Sequence, residues 1–249
     1  MKDRLKIILR KAWRICWKTA MWFFIVSIAS VVLFRWVPVP VTPLMLWRCI
    51  EQKWNGKPMK LHKDWVPLSE ISNTLQLAVV CSEDQNFLKH HGFDYQAIQR
   101  AMDYNETHKR THGASTISQQ TAKNVFLWPG RGWIRKGFEV YFTFLIETFW
   151  SKERIMEVYL NVIETGDGVY GAQASAKDFF KRDAKDLSKE QSALIAAVLP
   201  GPLIFSAKNP NSYTLGRRDF ILNQMYLWGG VLNYHPGEMP VSSSRQGTK

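Results

Sequence analysis

The stretch L-Q-L-A-V-V-C-S-E-D-Q-N-F-L-K-H-H-G (75–92) runs from an apolar segment straight into carboxylates and imidazoles. Leu75–Leu88 reads as a helix, and Glu83, Phe87 and His90, at i, i+4 and i+7, share one helical face in line with Val79 one turn earlier. A carboxyl group on an otherwise apolar stripe is stripped of water. Desolvation raises its proton affinity toward the range of a general base. Taken alone, Glu83-Asp84 reads equally well as a capping or surface pair, so the residues downstream have to decide.

Those residues are mainly helical in pattern. Ser115–Lys123 reads as a helix start after Gly113, and Phe138–Trp150 carries Phe138, Tyr141, Phe142, Leu145, Ile146 and Phe149 as a stripe of helical period. Ser151 is placed to cap K-E-R-I-M-E-V-Y-L-N (152–161). Ser188 and Gln191 form a capping box for a helix that Pro200-Gly201-Pro202 ends. No repeat and no alternating strand pattern of useful length is visible. The expected fold is mostly α, with one domain over 60–235, a connector over 38–59 and a flexible tail over 236–249.

The N-terminus suggests where that domain works. Lys2, Arg4, Lys6, Arg10, Lys11, Arg14 and Lys18 form a basic segment (1–18) ahead of Thr19–Phe34, which carries no charge. As a helix these residues span roughly 24 Å, short of a hydrocarbon core of about 30 Å. Lys18 and Arg35 can snorkel, and Trp13, Trp17 and Trp36 suit the interfaces, so 19–37 reads as one transmembrane anchor. A cut at S-I-A-S would fall inside the apolar run, which favours an anchor over a cleaved signal peptide. Basic residues before the span predict a cytoplasmic N-terminus and a domain outside. The formal charge of +12 then finds its partner in a membrane rather than in nucleic acid, for which no module pattern is present. Pro38, Pro40 and Pro43 stiffen the exit. Three cysteines, Cys16, Cys49 and Cys81, make no disulfide scaffold; Cys49 and Cys81 read as thiols, though a bridge between them is compatible with the exported location.

Two further clusters carry chemistry. In H-G-A-S-T-I-S-Q-Q-T-A-K-N (112–124), Ser115, Thr116, Gln119, Gln120 and Lys123 bring hydroxyl, amide and ammonium groups onto adjacent turns, at a helix N-terminus that would attract an anion. In R-G-W-I-R-K-G-F-E (131–139), Arg131, Arg135 and Lys136 can converge on a diphosphate, with Glu139 orienting them or a divalent ion. The bland alternatives are a polar helix start and a solvated charge run. Joining a hydroxyl to an anomeric carbon that bears a diphosphate needs a base and cations, because diphosphate leaves as a stable anion. Glycoside hydrolysis needs a protonated carboxyl instead. The cationic clustering favours synthesis. His90-His91 and the His108/His112 pair lack a convincing third ligand, so no metal site is assigned.

At this point the sequence resembles the peptidoglycan glycosyltransferases, glycosyltransferase family 51, in their monofunctional, membrane-anchored form. E-D-x-x-F-x-x-H-x-G matches 83–92. G-G-S-T-I-x-Q-Q-x-x-K-N matches 113–124 with Ala114 for the second glycine, and R-K-x-x-E matches 135–139. K-x-R-I-x-E-x-Y-L-N matches 152–161, and a G-V-Y-G-A segment follows at 168–176 with Ser175 for an alanine. The resemblance implies a lysozyme-like helical lobe with a small membrane-associated jaw, polymerising lipid II into glycan strands by inverting β-1,4 transfer with release of polyprenyl diphosphate. It implies Glu83 as the base on the acceptor hydroxyl, and Glu139 with Lys123, Arg131, Arg135 and Lys136 on the donor diphosphate. Asp84, Phe87, His90, Ser115, Thr116, Gln119 and Gln120 would shape the cleft. Its partners would be lipid II, the growing lipid-linked strand, the bacterial inner membrane and other wall-synthesis proteins. No cofactor is required, although Mg2+ or Mn2+ is compatible with Glu139. The aromatics of F-L-W-P-G-R-G-W (126–133) suit the outer leaflet. The S-x-x-K and K-T-G signatures of a transpeptidase do not occur. The alternative is a lysozyme-like lytic enzyme that cuts finished glycan.

Overall fold

A computed structural model describes residues 2–108, 113–130 and 132–235. Position 131, His112 and the tail 236–249 lie outside these described residues, so the expectations for Arg131, the His108/His112 pair and the tail are not addressed by it.

The chain is mostly helical, as its patterning predicts. Helix α1 (Lys2–Phe34) is continuous through both the basic segment and the apolar run. Its stretch Leu9–Phe34 is long and apolar enough to cross a membrane. Helix α2 (Pro43–Trp54) follows, with Pro43 in its first turn and the Thr42 hydroxyl accepting from the Met45 amide. The domain proper comprises α3 (Asn73–Glu83), α4 (Tyr95–Thr107), α5 (Ile117–Phe126), α6 (Trp133–Phe149), α7 (Lys152–Val162), the short α8 (Gly171–Ser175), α9 (Lys189–Val198) and α10 (Ser212–Leu227).

Two packing groups share one core. Helices α3, α9 and α10 lie against each other, and the small Ala193, Ala196 and Ala197 let α9 come close. Helices α5, α6 and α7 form the second group. Leu75, Leu77, Ile117, Ile146, Ile155 and Met156 are fully buried and join the two. Burying side chains of this size stabilises by roughly 1.5–3 kcal/mol each before conformational entropy is counted. The helix starts read from the sequence hold in detail: Ser151 accepts from the Arg154 amide, and Ser188 and Gln191 form a reciprocal capping box. Along α1, Phe23 packs edge-on against Phe138 of α6, and Ser27 shares a hydrogen bond with Tyr141 at 2.8 Å.

Two expectations need correction. The helix that begins near Leu75 ends at Glu83 rather than running to Leu88, because Asp84 leaves helical geometry with φ −162° and ψ 79°. The chain also contains a small sheet, with β1 (His62–Lys63) parallel to β3 (Val169–Tyr170) and β3 antiparallel to β2 (Glu164–Gly166). Strands of two or three residues are too short to display alternation, which is why the pattern gave no sign of them.

The turn from β3 into α8 depends on Gly171. Its φ of +81° lies in the left-handed region, and a Cβ there would sit 2.8 Å from the carbonyl oxygen of Asn161. Asn161 in turn bridges α7 to the Val66 backbone in both directions, at 3.0 and 2.9 Å. Gly171→Ala is therefore expected to lower stability by about 1–3 kcal/mol, read as a lower thermal midpoint in detergent. An unchanged midpoint would contradict this reading of the turn.

Candidate active site

Glu83 is the last residue of α3, and its side chain is 12% exposed. Its Oε2 accepts from Gln120 Nε2 at 3.0 Å, and its Oε1 accepts from the Ser82 hydroxyl at 3.1 Å. The guanidinium of Arg217, from α10, stands 3.7 Å from Oε1 and also donates to Ser82 at 3.1 Å. Gln120 is itself held by the Tyr159 hydroxyl of α7, which donates to its Oε1 at 3.2 Å. Burial, with the charges of Glu83 and Asp84 next, holds the Tyr159 phenol well above its ordinary pKa, so it stays a neutral donor. The Glu83 carboxylate is thus held by amide, hydroxyl and guanidinium groups rather than by an apolar stripe.

Asp84 serves a different purpose. Its carboxylate is 2% exposed and accepts from the Ile117 amide at 3.0 Å and from His90 Nε2 at 2.9 Å. The N-terminus of α5 does bind an anion, as its position suggests, and the anion is Asp84. Thr116 and Gln119 complete that terminus as a capping box, with the Thr116 hydroxyl donating to the Gly92 carbonyl at 2.7 Å. Phe87 is fully buried beneath the Lys152 ammonium, 4.7 Å from its ring centre. Phe87, His90, Thr116 and Gln119, expected to shape the cleft, are engaged with neighbouring protein groups, and Thr116 also lines the hollow beside Glu83. Because α3 ends at Glu83, Phe87 and His90 do not share a helix face with it.

The second carboxylate, Glu139, is buried on α6. Arg135, one turn earlier, lies 3.5 Å from Oε2, and Lys136 pairs with Oε1. Lys123 of α5 feels the charge of both carboxylates. Burial lowers its pKa below the ordinary lysine value, while Glu139 and Glu83 both pull the other way and Arg135 and Lys136 add to the lowering. Gln120 and Lys123 are three apart on α5, so one helix face presents an amide to Glu83 and an ammonium toward Glu139.

Two hollows flank the Glu83–Gln120 pair, one lined by Glu83 and the other by Gln120. One of about 500 Å³ is lined by Glu83, the exposed Ser115, Arg100, Tyr104 and Phe220. The other, of about 510 Å³, is lined by Gln120, Lys123, Arg135, Trp128, Arg48 and Glu164. Trp133 and Ile134, at the start of α6, stand largely exposed. Among the described residues no group of three metal-ligating side chains comes together.

Arg217, Tyr159, Arg48 and Glu164 carry roles that their sequence context did not reveal. Tyr159 and Asn161 lie inside a quoted motif, but nothing in their spacing said what they would touch. Arg48 of α2 reaches Glu164 at 3.3 Å and Glu51 at 2.7 Å, and Tyr170 donates to Glu164 at 3.3 Å. Burial wins at Glu164 and raises its pKa despite Arg48. At Arg48 burial is again the largest single influence, yet Glu51 and Glu164 together outweigh it and raise the guanidinium. A carboxyl group that is raised in the folded state keeps its proton longer than it does in the unfolded chain. Its contribution to stability is therefore present below the ordinary glutamate value of 4.5 and is lost as pH rises through the higher folded value. In unfolding measured from about pH 4 to pH 7, wild type is expected to lose stability relative to Glu164→Gln as pH rises. A difference that moves the opposite way would contradict this assignment.

Residues 52–226 match the family model described as Transglycosylase. The chain is 56% identical over 208 residues to a protein of Bdellovibrio bacteriovorus named biosynthetic peptidoglycan transglycosylase, covering 84% of this chain and 83% of that one. A protein of the same name from Bacteroides thetaiotaomicron is 53% identical over 219 residues, covering 88% of each. Another, from Pseudomonas aeruginosa, is 48% identical over 223 residues, covering 90% of this chain and 96% of that one. With its paired carboxylates and a match across most of its length, this chain belongs to the transglycosylase family.

Proposed function

We propose that this chain polymerises lipid II into peptidoglycan glycan strands, with the growing lipid-linked strand as donor and a fresh lipid II as acceptor. The observation that carries the reading is the single face of α5, which gives Gln120 to Glu83 and Lys123 to the Glu139 cluster. Glu83 accepts the proton of the acceptor 4-hydroxyl as that oxygen attacks the anomeric carbon. The bond from that carbon to the diphosphate breaks, and the electron pair leaves with polyprenyl diphosphate. Attack from the side opposite the leaving group inverts the centre and yields the β-1,4 link. Lys123, Arg135 and Lys136 receive the developing charge, and Arg131 is assigned to the same role on its motif alone. Electrostatic stabilisation by groups already in place is a large part of such catalysis.

Glu139 orients these cations. Arg135 and Lys136 already occupy it, so Mg2+ or Mn2+ would have to compete with them, and the reading assigns no step to a metal or cofactor. We place α1 across the bacterial inner membrane with its basic end in the cytoplasm and the domain outside, where the exposed Trp128, Trp133 and Ile134 meet the lipid that carries the substrate. Other wall-synthesis proteins are compatible partners. The names of the relatives do not favour a lytic reading.

With labelled lipid II in detergent, Glu83→Gln is expected to cut polymerisation by about 10²–10⁴-fold while the protein stays folded. Near-normal polymer from that variant would overturn the assigned base. The lowered Lys123 pKa has a further consequence. Its charge is lost below the alkaline pH at which an ordinary lysine titrates, so kcat/KM for the free enzyme falls with it. Lys123→Arg is expected to extend the alkaline limb to higher pH, and an unmoved limb would remove Lys123 from the donor site.

A further inference from the structure

Helix α1 ends at Phe34, and a helix leaves its last four carbonyls without partners of its own. Here these are Val31, Val32, Leu33 and Phe34. The next turn of chain serves two of them: Arg35 donates to Val32 at 3.3 Å, and Trp36 and Val37 donate to Leu33 at 3.2 and 3.1 Å. The other two receive donors from the catalytic domain. Trp150 Nε1 donates to Val31 at 2.8 Å, and Arg154 donates to Phe34 through Nε at 3.0 Å and Nη2 at 2.7 Å.

The same attachment continues along the exit. Arg154 Nη2 also reaches the Val37 carbonyl at 2.7 Å, and Lys63 Nζ donates to Val39 and Pro40 at 2.6 and 3.0 Å. Pro38 and Pro40 have no amide hydrogen, so this segment cannot extend its own capping ladder. Arg154 is held in turn by an ion pair with Glu157 and by the face of Trp65, 5.3 Å from its ring centre. An indole and a guanidinium from the domain thus close the end of the membrane helix, where a plain tether would leave those carbonyls to water.

We propose that Arg154, seconded by Trp150 and Lys63, is a rigid joint between α1 and the catalytic domain, and that it fixes the height of the donor cleft above the bilayer. Arg154 is in this sense a positioning residue. The inference rests on the reading of a lipid-borne diphosphate donor, whose depth is set by the membrane and not by the protein. Arg154 and Tyr159 share α7, and Tyr159 holds Gln120 beside Glu83, so a shift at the joint reaches the cleft through one helix.

The test uses the full chain. Spin labels on native Cys16 and on Lys185→Cys, with Cys49→Ser, report the distance between helix and domain in proteoliposomes. Wild type is expected to give a narrow distribution and Arg154→Met a broad one. Polymerisation is measured on lipid II in the same vesicles and in detergent micelles, where the substrate can adjust its depth. Arg154→Met is expected to lose roughly tenfold in kcat/KM in vesicles and less than about twofold in micelles, since small misplacements of reacting groups are costly. Arg154→Lys is expected to recover part of the loss. Trp150→Phe, which removes the indole donor together with part of the ring, should show the same split in milder form and serves if Arg154→Met does not fold. An unchanged distance distribution, or equal losses in both media, would overturn the joint. If wild type makes no polymer at all, the substrate reading fails while the distance measurement still judges the joint.

Discussion

The carboxylate of Asp84, closed off from water, ties the end of α3 to the beginning of α5. It takes the first amide of α5 and the His90 ring together, and the chain leaves helical geometry at that residue to do so. Everything in the cleft follows from this attachment. Once the two helix ends are pinned, Glu83 must lie beside Gln120, and Lys123 must lie one turn further along the same face. Leaving a buried polar group without its hydrogen-bond partner commonly costs about 1–3 kcal/mol, so this attachment can set the geometry around it.

The site is consequently layered. Glu83 and Ser115 line one hollow, and Gln120, Lys123 and Arg135 line the other, where a ligand can reach them. Asp84, His90, Thr116 and Gln119 are spent chiefly on each other and on backbone, and Phe87 on packing. The polar residues of the two motif stretches divide almost evenly between these tasks, which is what a preorganised site requires. In the proposed reaction the cations gather where the diphosphate leaves, and the buried Tyr159, through Gln120, and the neighbouring Arg217 constrain the Glu83 carboxylate.

Much of the fold was legible in the residues themselves. The helix caps at Ser151 and Ser188, the stripe of α6 and the apolar run of α1 follow from local periodicity and capping chemistry, and all stand in the structure. The short strands were not legible, because two or three residues carry no period. The end of α3 was missed for a tertiary reason: Asp84 is drawn out of the helix by an amide 33 positions later in the chain. Arg217 and Arg48 could not be found from spacing, since each joins the site from a helix remote in sequence. The role of Tyr159 needed the fold as well, although the residue lies inside a recognisable motif.

The most direct measurement of the central claim is a structure of the full chain with a lipid-linked sugar diphosphate whose anomeric oxygen is replaced by carbon, so that it binds and cannot transfer. The account expects the diphosphate oxygens within about 2.7–3.2 Å of Lys123 and the Arg135 guanidinium, with the anomeric carbon turned toward Glu83. A diphosphate seated in the hollow lined by Arg100 and Tyr104, away from both cations, would contradict it.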